Sequence, residues 1–326
     1  MKQKIRLFIL IAFLTPSIAF SQKDTLVKKL DSLSITETKE EKKNNDITSS
    51  AYNDSTKFTF RNYFILLGSD FKQQFTFPFH AKKKDWTKFA VFAGGTVALA
   101  IADEPISEFF AGLASRNKAI SSTSSFITSF GGIYEVASLT GFAAYGFIAN
   151  NHKVKSTFFL ASQAYITAAV METFVKFLSN RQRPNYIDPT NNIADPTFHG
   201  PFYKFSKLAT GTKNSSFPSG HTSLAFAAAT VYALEYRHHP WIPIFSYGFA
   251  SLVGISRMTE NKHWPTDVLV GAAIGILSGR NVVNNYHRYM KIKQPERPIK
   301  KKKGTASLTM TPFYGKILPG ITYRFY

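Results

Sequence analysis

The chain has 326 residues, which is enough for one large domain or two small ones, and 44% of them are hydrophobic, which allows a sizeable core or a membrane region. Forty Lys and Arg residues against 20 Asp and Glu residues give a formal net charge of +20. This charge favours partners that carry phosphate, anionic lipid or nucleic acid. The sequence contains no cysteine, which excludes disulfides, thiol catalysis, cysteine metal sites and a lipid-modified N-terminal cysteine.

Residues 1–21 have the pattern of a secretory signal peptide. A basic start precedes an apolar run from Leu7 to Leu14, and Ala19-Phe20-Ser21 supplies small residues for cleavage before Gln22. The alternative is an uncleaved membrane anchor. Either form exports at least part of the protein.

The next two segments differ in composition. Residues 22–57 are polar and charged, which predicts a disordered linker. Residues 58–85 form an aromatic arm that begins "FTFRNYFILLGSDF". The arm is either an interfacial amphipathic segment or a packing element, and the pattern is compatible with both.

Apolar runs broken by polar turns predict an all-α domain over residues 86–287, with a six-helix bundle as its core. The predicted helices are 86–102, 126–150, 156–179, 221–236, 241–256 and 265–279. A membrane span needs about 20 predominantly apolar residues. Two of these helices reach that length but carry charged residues, so spanning helices and buried core helices both remain open.

The C-terminal part contains a basic linker at 288–304, followed by two short alternating runs. These runs predict a short β-like tail over residues 305–326, either a hairpin or an edge strand.

The first chemically suggestive stretch is "KFLSNRQRP". Lys176 and Arg183 are close to two helical turns apart, and Pro184 ends the helix near them, so both cations can reach one point beyond the helix end. The alternative is that they only complement the helix dipole.

The second stretch is "PSGH". Ser219 is a candidate N-cap and Gly220 permits close approach of a ligand to the backbone. His221 then lies in the first turn of a helix, whose N-terminus suits an oxyanion. A capped helix with an incidental histidine is the competing interpretation.

The third stretch is "SRMTENKHWPTD". Pro265 suits the first helical position, so Asp267 lies in the first turn and can reach back to His263. A carboxylate that orients a histidine is typical of nucleophilic sites. Metal binding is disfavoured because Lys176, Arg183 and Arg257 would oppose a cation.

Together, the three stretches predict an oxyanion site with several cations, two histidines and a helix N-terminus, which suits phosphoryl transfer. The patterns K-x6-RP, PSGH and SR-x5-H-x3-D resemble the three motifs of the type 2 phosphatidic acid phosphatase and vanadium haloperoxidase superfamily, in its membrane-associated phosphatase branch. Every motif position matches, in the order of the family.

The resemblance implies a helical bundle with the active site at one end, and it implies a role for each motif residue. His263 is the nucleophile that forms a phosphohistidine, Asp267 orients it, and His221 is the general acid. The phosphate is bound by a set of donors, namely Lys176, Arg183, Ser219, Gly220 and Arg257. No metal or cofactor is expected, although vanadate can bind as a phosphate mimic.

The predicted function is metal-independent hydrolysis of a phosphate monoester or diphosphate, with a lipid such as phosphatidic acid, undecaprenyl diphosphate or lipid A as substrate. The predicted location is exported and associated with a membrane or integral to it. The alternatives are a soluble nonspecific periplasmic acid phosphatase and a non-enzymatic membrane-associated lipid-binding protein. Vanadate-dependent halide oxidation ranks lower, and nucleic-acid binding is disfavoured because the basic residues are scattered among apolar helices.

Overall fold

The computed structural model describes residues 25–36, 45–185, 196–201, 215–294, 305–313 and 316–324. The predicted signal peptide lies outside these residues. The all-α class is confirmed. The helices are α1 (Thr25–Thr36), α2 (Phe60–His80), α3 (Lys83–Ala100), α4 (Asp103–Arg116), α5 (Lys118–Phe130), α6 (Ile133–Ile148), α7 (His152–Ser179), α8 (Gly220–Glu235), α9 (Trp241–Thr259) and α10 (Pro265–Lys293).

The C-terminal tail forms a β-hairpin of two antiparallel strands, β1 (Thr305–Phe313) and β2 (Lys316–Arg324). Thr305 pairs with Arg324 and Phe313 pairs with Lys316. The β-like character predicted for this tail is therefore present in the structure.

Helix α8 lies at the centre of the bundle and packs against α7, α9 and α10. Its contact with α10 depends on three glycines, Gly271, Gly275 and Gly279. A Cβ atom added to Gly275 would lie 2.3 Å from the carbonyl oxygen of Ser223, and one added to Gly271 would lie 2.6 Å from that of Ser219. The two helices therefore approach backbone to backbone, which fixes their first turns relative to each other.

The predicted disorder of residues 22–57 is wrong for the described part of that segment. Helix α1 buries Leu30 completely, and Tyr52 is only 3% exposed. The hydroxyl of Tyr52 donates to the carboxylate of Glu235, at the C-terminal end of α8. A few apolar and aromatic side chains thus hold a segment of polar composition on the bundle.

Several predicted helix bounds also differ from the structure. The predicted helix 126–150 is divided at Gly131–Gly132 into the end of α5 and α6. Helix α4 was not predicted. Helix α10 continues to Lys293, so the first part of the predicted basic linker is helical. The aromatic arm forms α2, which packs on α10.

The surface carries many exposed large apolar side chains, and they are prominent on α3, α6, α7 and α9. Two helices, α7 and α10, are long and apolar enough to cross a membrane. Helices α3 and α4 would together provide a third span, bent by 61°. These features support membrane association.

Candidate active site

Four helix ends meet where the three motifs come together. Helix α7 ends just before Arg181, α8 begins at Gly220, α9 ends at Thr259, and α10 begins at Pro265. Because α7 and α9 run toward this end and α8 and α10 run away from it, residues distant in sequence share one site. The structure therefore brings the predicted residues together at one end of the bundle.

His263 is held in a defined orientation. Its side chain is 2% exposed, and its Nδ1 lies 2.8 Å from the carbonyl oxygen of Ser216. A carbonyl oxygen only accepts, so Nδ1 carries the proton in this hydrogen bond and Nε2 of the neutral ring keeps its lone pair. The Oδ2 atom of Asp267 is further away, 3.5 Å from the same Nδ1.

Asp267 is completely buried and accepts several hydrogen bonds. Its Oδ2 accepts from the backbone N–H of Trp264 at 2.9 Å and from the hydroxyl of Ser216. Its Oδ1 accepts from Nη1 of Arg181 at 2.6 Å. Pro265 is the first residue of α10 and Asp267 is the third. The hydrogen bond from the N–H of Trp264 to Asp267 therefore caps the start of this helix.

His221 lies in the first turn of α8, beneath the turn between α5 and α6. A Cβ atom added to Gly131 in that turn would lie 3.0 Å from the Cβ atom of His221. Burial is the main cause that lowers the pKa of His221 to about 4, and the nearby charges of Arg257, His263, Lys176 and Arg183 contribute to the same shift. Burial likewise lowers the pKa of His263 to about 4, although Asp267 opposes the shift.

The three predicted phosphate-binding cations lie close to these histidines. Lys176 pairs with Glu172 at 2.7 Å, and Nη1 of Arg257 pairs with Glu260 at 2.5 Å. Nη2 of Arg183 donates to the hydroxyl of Ser215 at 3.3 Å.

The guanidinium groups retain unused donors. Within the described part of the chain, the buried Nε atoms of Arg183 and Arg257 have no hydrogen-bond partner. Two buried guanidinium N–H groups without an acceptor are costly unless an anion occupies the site. This observation favours an anion site at this end of the bundle.

The start of α8 provides backbone donors. Helical geometry leaves the N–H groups of Gly220, His221 and Thr222 without intrahelical acceptors. A Cβ atom added to Gly220 would lie 3.1 Å from Nζ of Lys176, so the glycine permits that lysine to reach the helix end.

Ser219 is the N-cap residue, but its side chain does not cap the helix. Its hydroxyl is 2.8 Å from that of Thr222, and its N–H donates to the carbonyl oxygen of Asp267 at 2.9 Å. To donate to a phosphate, the hydroxyl of Ser219 would therefore have to give up its hydrogen bond with Thr222.

Two further residues of the site escaped sequence reasoning. Arg181 lies within "KFLSNRQRP" but was not singled out, and Asp103 lies at the start of α4. Their side chains are in contact with each other at 2.6 Å.

As for metals, the described residues contain no group of three or more His, Cys, Asp or Glu side chains that could hold an ion.

Residues 157–291, the segment that contains all three motifs, match the model of the PAP2 superfamily. The recognition made from the motifs is confirmed. The chain is 52% identical over 79 residues to a protein of Porphyromonas gingivalis named Lipid A 1-phosphatase, covering 24% of this chain and 18% of that protein. It is 25% identical over 189 residues to Phospholipid phosphatase 2 of Homo sapiens, covering 51% of this chain and 63% of that protein.

A crystal structure described as a transmembrane PAP2 type phosphatidylglycerolphosphate phosphatase from Bacillus subtilis is also similar. The TM-score is 0.44 at 19% identity, covering 65% of this chain and 96% of that one. The chain spans less than two thirds of the length of each of the two relatives above.

Proposed function

We propose that the protein is a phosphatase that removes phosphate from a lipid phosphate or diphosphate through a phosphohistidine on His263. The observation that carries this proposal is the hydrogen bond from Nδ1 of His263 to the carbonyl oxygen of Ser216. This bond leaves the lone pair of Nε2 free to attack phosphorus, in a site lined by unused guanidinium donors.

The reaction then has two steps. In the first, Nε2 of His263 forms a bond to phosphorus while the bond from phosphorus to the leaving oxygen breaks, and His221 gives that oxygen a proton. In the second, the oxygen of water forms a bond to phosphorus while the bond from phosphorus to Nε2 of His263 breaks, and the water gives a proton to His221. Phosphate then leaves and the lone pair of Nε2 is restored. Asp267 stabilises the positive charge on the His263 ring between the two steps.

The phosphate oxygens are bound by charge and by backbone donors. Lys176, Arg183 and Arg257 supply the positive charge that a metal ion supplies in other phosphatases. The N–H groups of Gly220 and the residues after it complete the binding site at the start of α8. The predicted contribution of the Ser219 hydroxyl remains a prediction.

His221 needs the substrate in order to act as an acid. A pKa of about 4 leaves it neutral at pH 7 in the free protein. Burial is the main cause of this low pKa, and the nearby cations add to it. A bound phosphate offsets the cationic charges, so substrate binding raises the pKa. The proton that the leaving group needs is therefore taken up together with the substrate.

The surface and the relatives support the proposed substrate class. Two helices able to cross a membrane and many exposed apolar side chains support an integral membrane enzyme with a lipid substrate. The 52% identity to a protein named Lipid A 1-phosphatase supports a lipid A-type phosphate as the first substrate to test.

The test is a phosphate-release assay on protein purified in detergent, with a chelator present. The panel contains lipid A, phosphatidic acid, undecaprenyl diphosphate and the soluble ester p-nitrophenyl phosphate. We expect release from at least one lipid, an acid-labile phosphoenzyme, and loss of both in His263→Ala. His239→Asn, at an exposed position beyond the other end of α8, is the matched control. Full activity in His263→Ala, a metal requirement, or preference for the soluble ester would contradict the proposal.

A further inference from the structure

Arg181 lies at the centre of a buried network. Its side chain is 2% exposed. Nη2 donates to Oδ2 of Asp103 at 2.6 Å, and Nη1 donates to Oδ1 of Asp267 at 2.6 Å and to the hydroxyl of Thr266 at 2.7 Å. The guanidinium also lies 4.8 Å from the ring of Phe198. Its position is therefore fixed from several sides.

Asp103 connects α4 to this network from outside the segment that matches the superfamily. Its side chain is completely buried, and its Oδ1 accepts from the N–H of Thr266 at 2.9 Å. Its Oδ2 accepts from the hydroxyl of Thr266 at 2.5 Å as well as from Arg181. Asp103 thus holds both Arg181 and the first turn of α10, the turn that contains Asp267.

We propose that Asp103 and Arg181 are positioning residues for His263, an inference that rests on the proposed function. Arg181 binds Oδ1 of Asp267, so Oδ2 faces Nδ1 of His263. Without Asp103, the positive charge of Arg181 would cancel the negative charge of Asp267. Asp103 offsets Arg181, so the three groups keep one net negative charge beside the His263 ring.

The net negative charge matters for the proposed reaction when the His263 ring becomes cationic. Forming the bond between Nε2 and phosphorus places positive charge on His263, and a net negative neighbour stabilises it. Asp103 itself contacts neither His263 nor the phosphate-binding cations in the described structure. It acts through Arg181 and Asp267 and is therefore a positioning residue rather than a catalytic one.

The test is Asp103→Asn, which keeps the shape and removes the charge. We expect kcat to fall about 10- to 100-fold, as for other outer-layer partners of a catalytic group. KM should stay within about twofold, because the phosphate contacts are unchanged. The acidic limb of the pH–rate profile should move to lower pH, because a lost negative charge lowers the pKa of His263. The other charged groups that face His263 are unchanged in this variant: Asp267, Arg183, Arg257 and His221.

Loss of a buried partner also destabilises a protein, so rates are expressed per folded molecule. Ser107→Ala, a buried change on the same helix α4, is the control for stability alone. Asp103→Glu should restore the acidic limb because it restores the charge. If Asp103→Asn does not fold, Arg181→Lys replaces it and should lower kcat while leaving the acidic limb in place.

NMR titration of labelled histidine measures the pKa of His263 without turnover, so it separates this inference from the proposed function. A His263 pKa and a kcat per folded molecule that are both unchanged in Asp103→Asn would overturn the inference. An inactive wild-type protein whose His263 pKa still falls in the variant would instead contradict the proposed function.

Discussion

Nδ1 of His263 lies 2.8 Å from the carbonyl oxygen of Ser216, whereas Oδ2 of Asp267 lies 3.5 Å from the same nitrogen. The backbone carbonyl therefore fixes the tautomer, and the carboxylate contributes mainly charge. In a serine protease triad the carboxylate has both tasks. Here the two tasks are divided between two residues that can be altered separately.

Asp267→Asn should slow the reaction without abolishing it. The Ser216 carbonyl still holds the tautomer in this variant, so the loss is that of one stabilising group, about 100- to 1000-fold in kcat. Ser216→Ala keeps the carbonyl and removes only the hydroxyl bonded to Asp267, so it should cost clearly less. Steady-state kinetics on folded protein measures both. Equal losses in the two variants would argue against this division of tasks.

Gly275→Ala should destabilise the bundle. The added Cβ atom would lie 2.3 Å from the carbonyl oxygen of Ser223 and 2.8 Å from the backbone nitrogen of Ala227. Helices α8 and α10 must then separate, at a cost of about 1–3 kcal/mol for overpacking.

Gly94→Ala, on α3, is the matched control because its added Cβ would meet no atom within 4 Å beyond its own stretch of helix backbone. Alanine there should be neutral or stabilise the helix by about 0.5–1 kcal/mol. Thermal unfolding in detergent measures both variants. Equal melting temperatures would show that the close contact between α8 and α10 does not limit stability.

The candidate site residues could be proposed from the sequence because they lie within three short stretches at helix ends. His221, His263 and Asp267 each lie within two residues of Gly220 or Pro265, the first residues of α8 and α10. Asp103 lies outside these stretches. It lies 78 positions before Arg181, and only the packing of α4 against the end of the bundle joins them.

The N-terminal segment shows the same limit of sequence reasoning. Its polar composition predicts disorder, yet Tyr52 reaches Glu235, 183 positions away. A long-range contact of this kind leaves no periodic pattern. The break between α5 and α6, in contrast, falls at the pair Gly131–Gly132, which is a local signal. Composition and periodicity predict the class of fold, whereas such contacts depend on the packed state.

The free protein should lose stability in acid. The pKa values of His221 and His263 fall from 6.5 to about 4 on folding, chiefly through burial. Between these values the unfolded chain binds protons that the folded one does not, so stability falls as pH drops from 6.5 toward 4. Melting temperature against pH measures this, and His263→Asn should flatten the curve. A wild-type melting temperature that stays constant down to pH 4 would contradict the lowered pKa values of His221 and His263.

Anion binding should take up a proton at His221. Arg257, Lys176 and Arg183 help to lower the pKa of His221, and a bound anion offsets their charge. At about pH 6, a histidine with a pKa of about 4 is neutral in the free protein, and it takes up protons to the extent that the bound anion raises its pKa. Calorimetry of vanadate binding in two buffers of different ionisation enthalpy counts that proton.

We expect net proton uptake on vanadate binding by the wild-type protein and clearly less uptake by His221→Asn, which keeps a polar side chain of similar size. His239→Asn should bind with the wild-type proton count, because that exposed residue lies beyond the opposite end of α8. Vanadate binding without proton uptake in the wild-type protein would contradict the role of His221 as the acid that protonates the leaving oxygen. The leaving group would then need its proton from water, because Nδ1 of His263 is engaged with the carbonyl oxygen of Ser216.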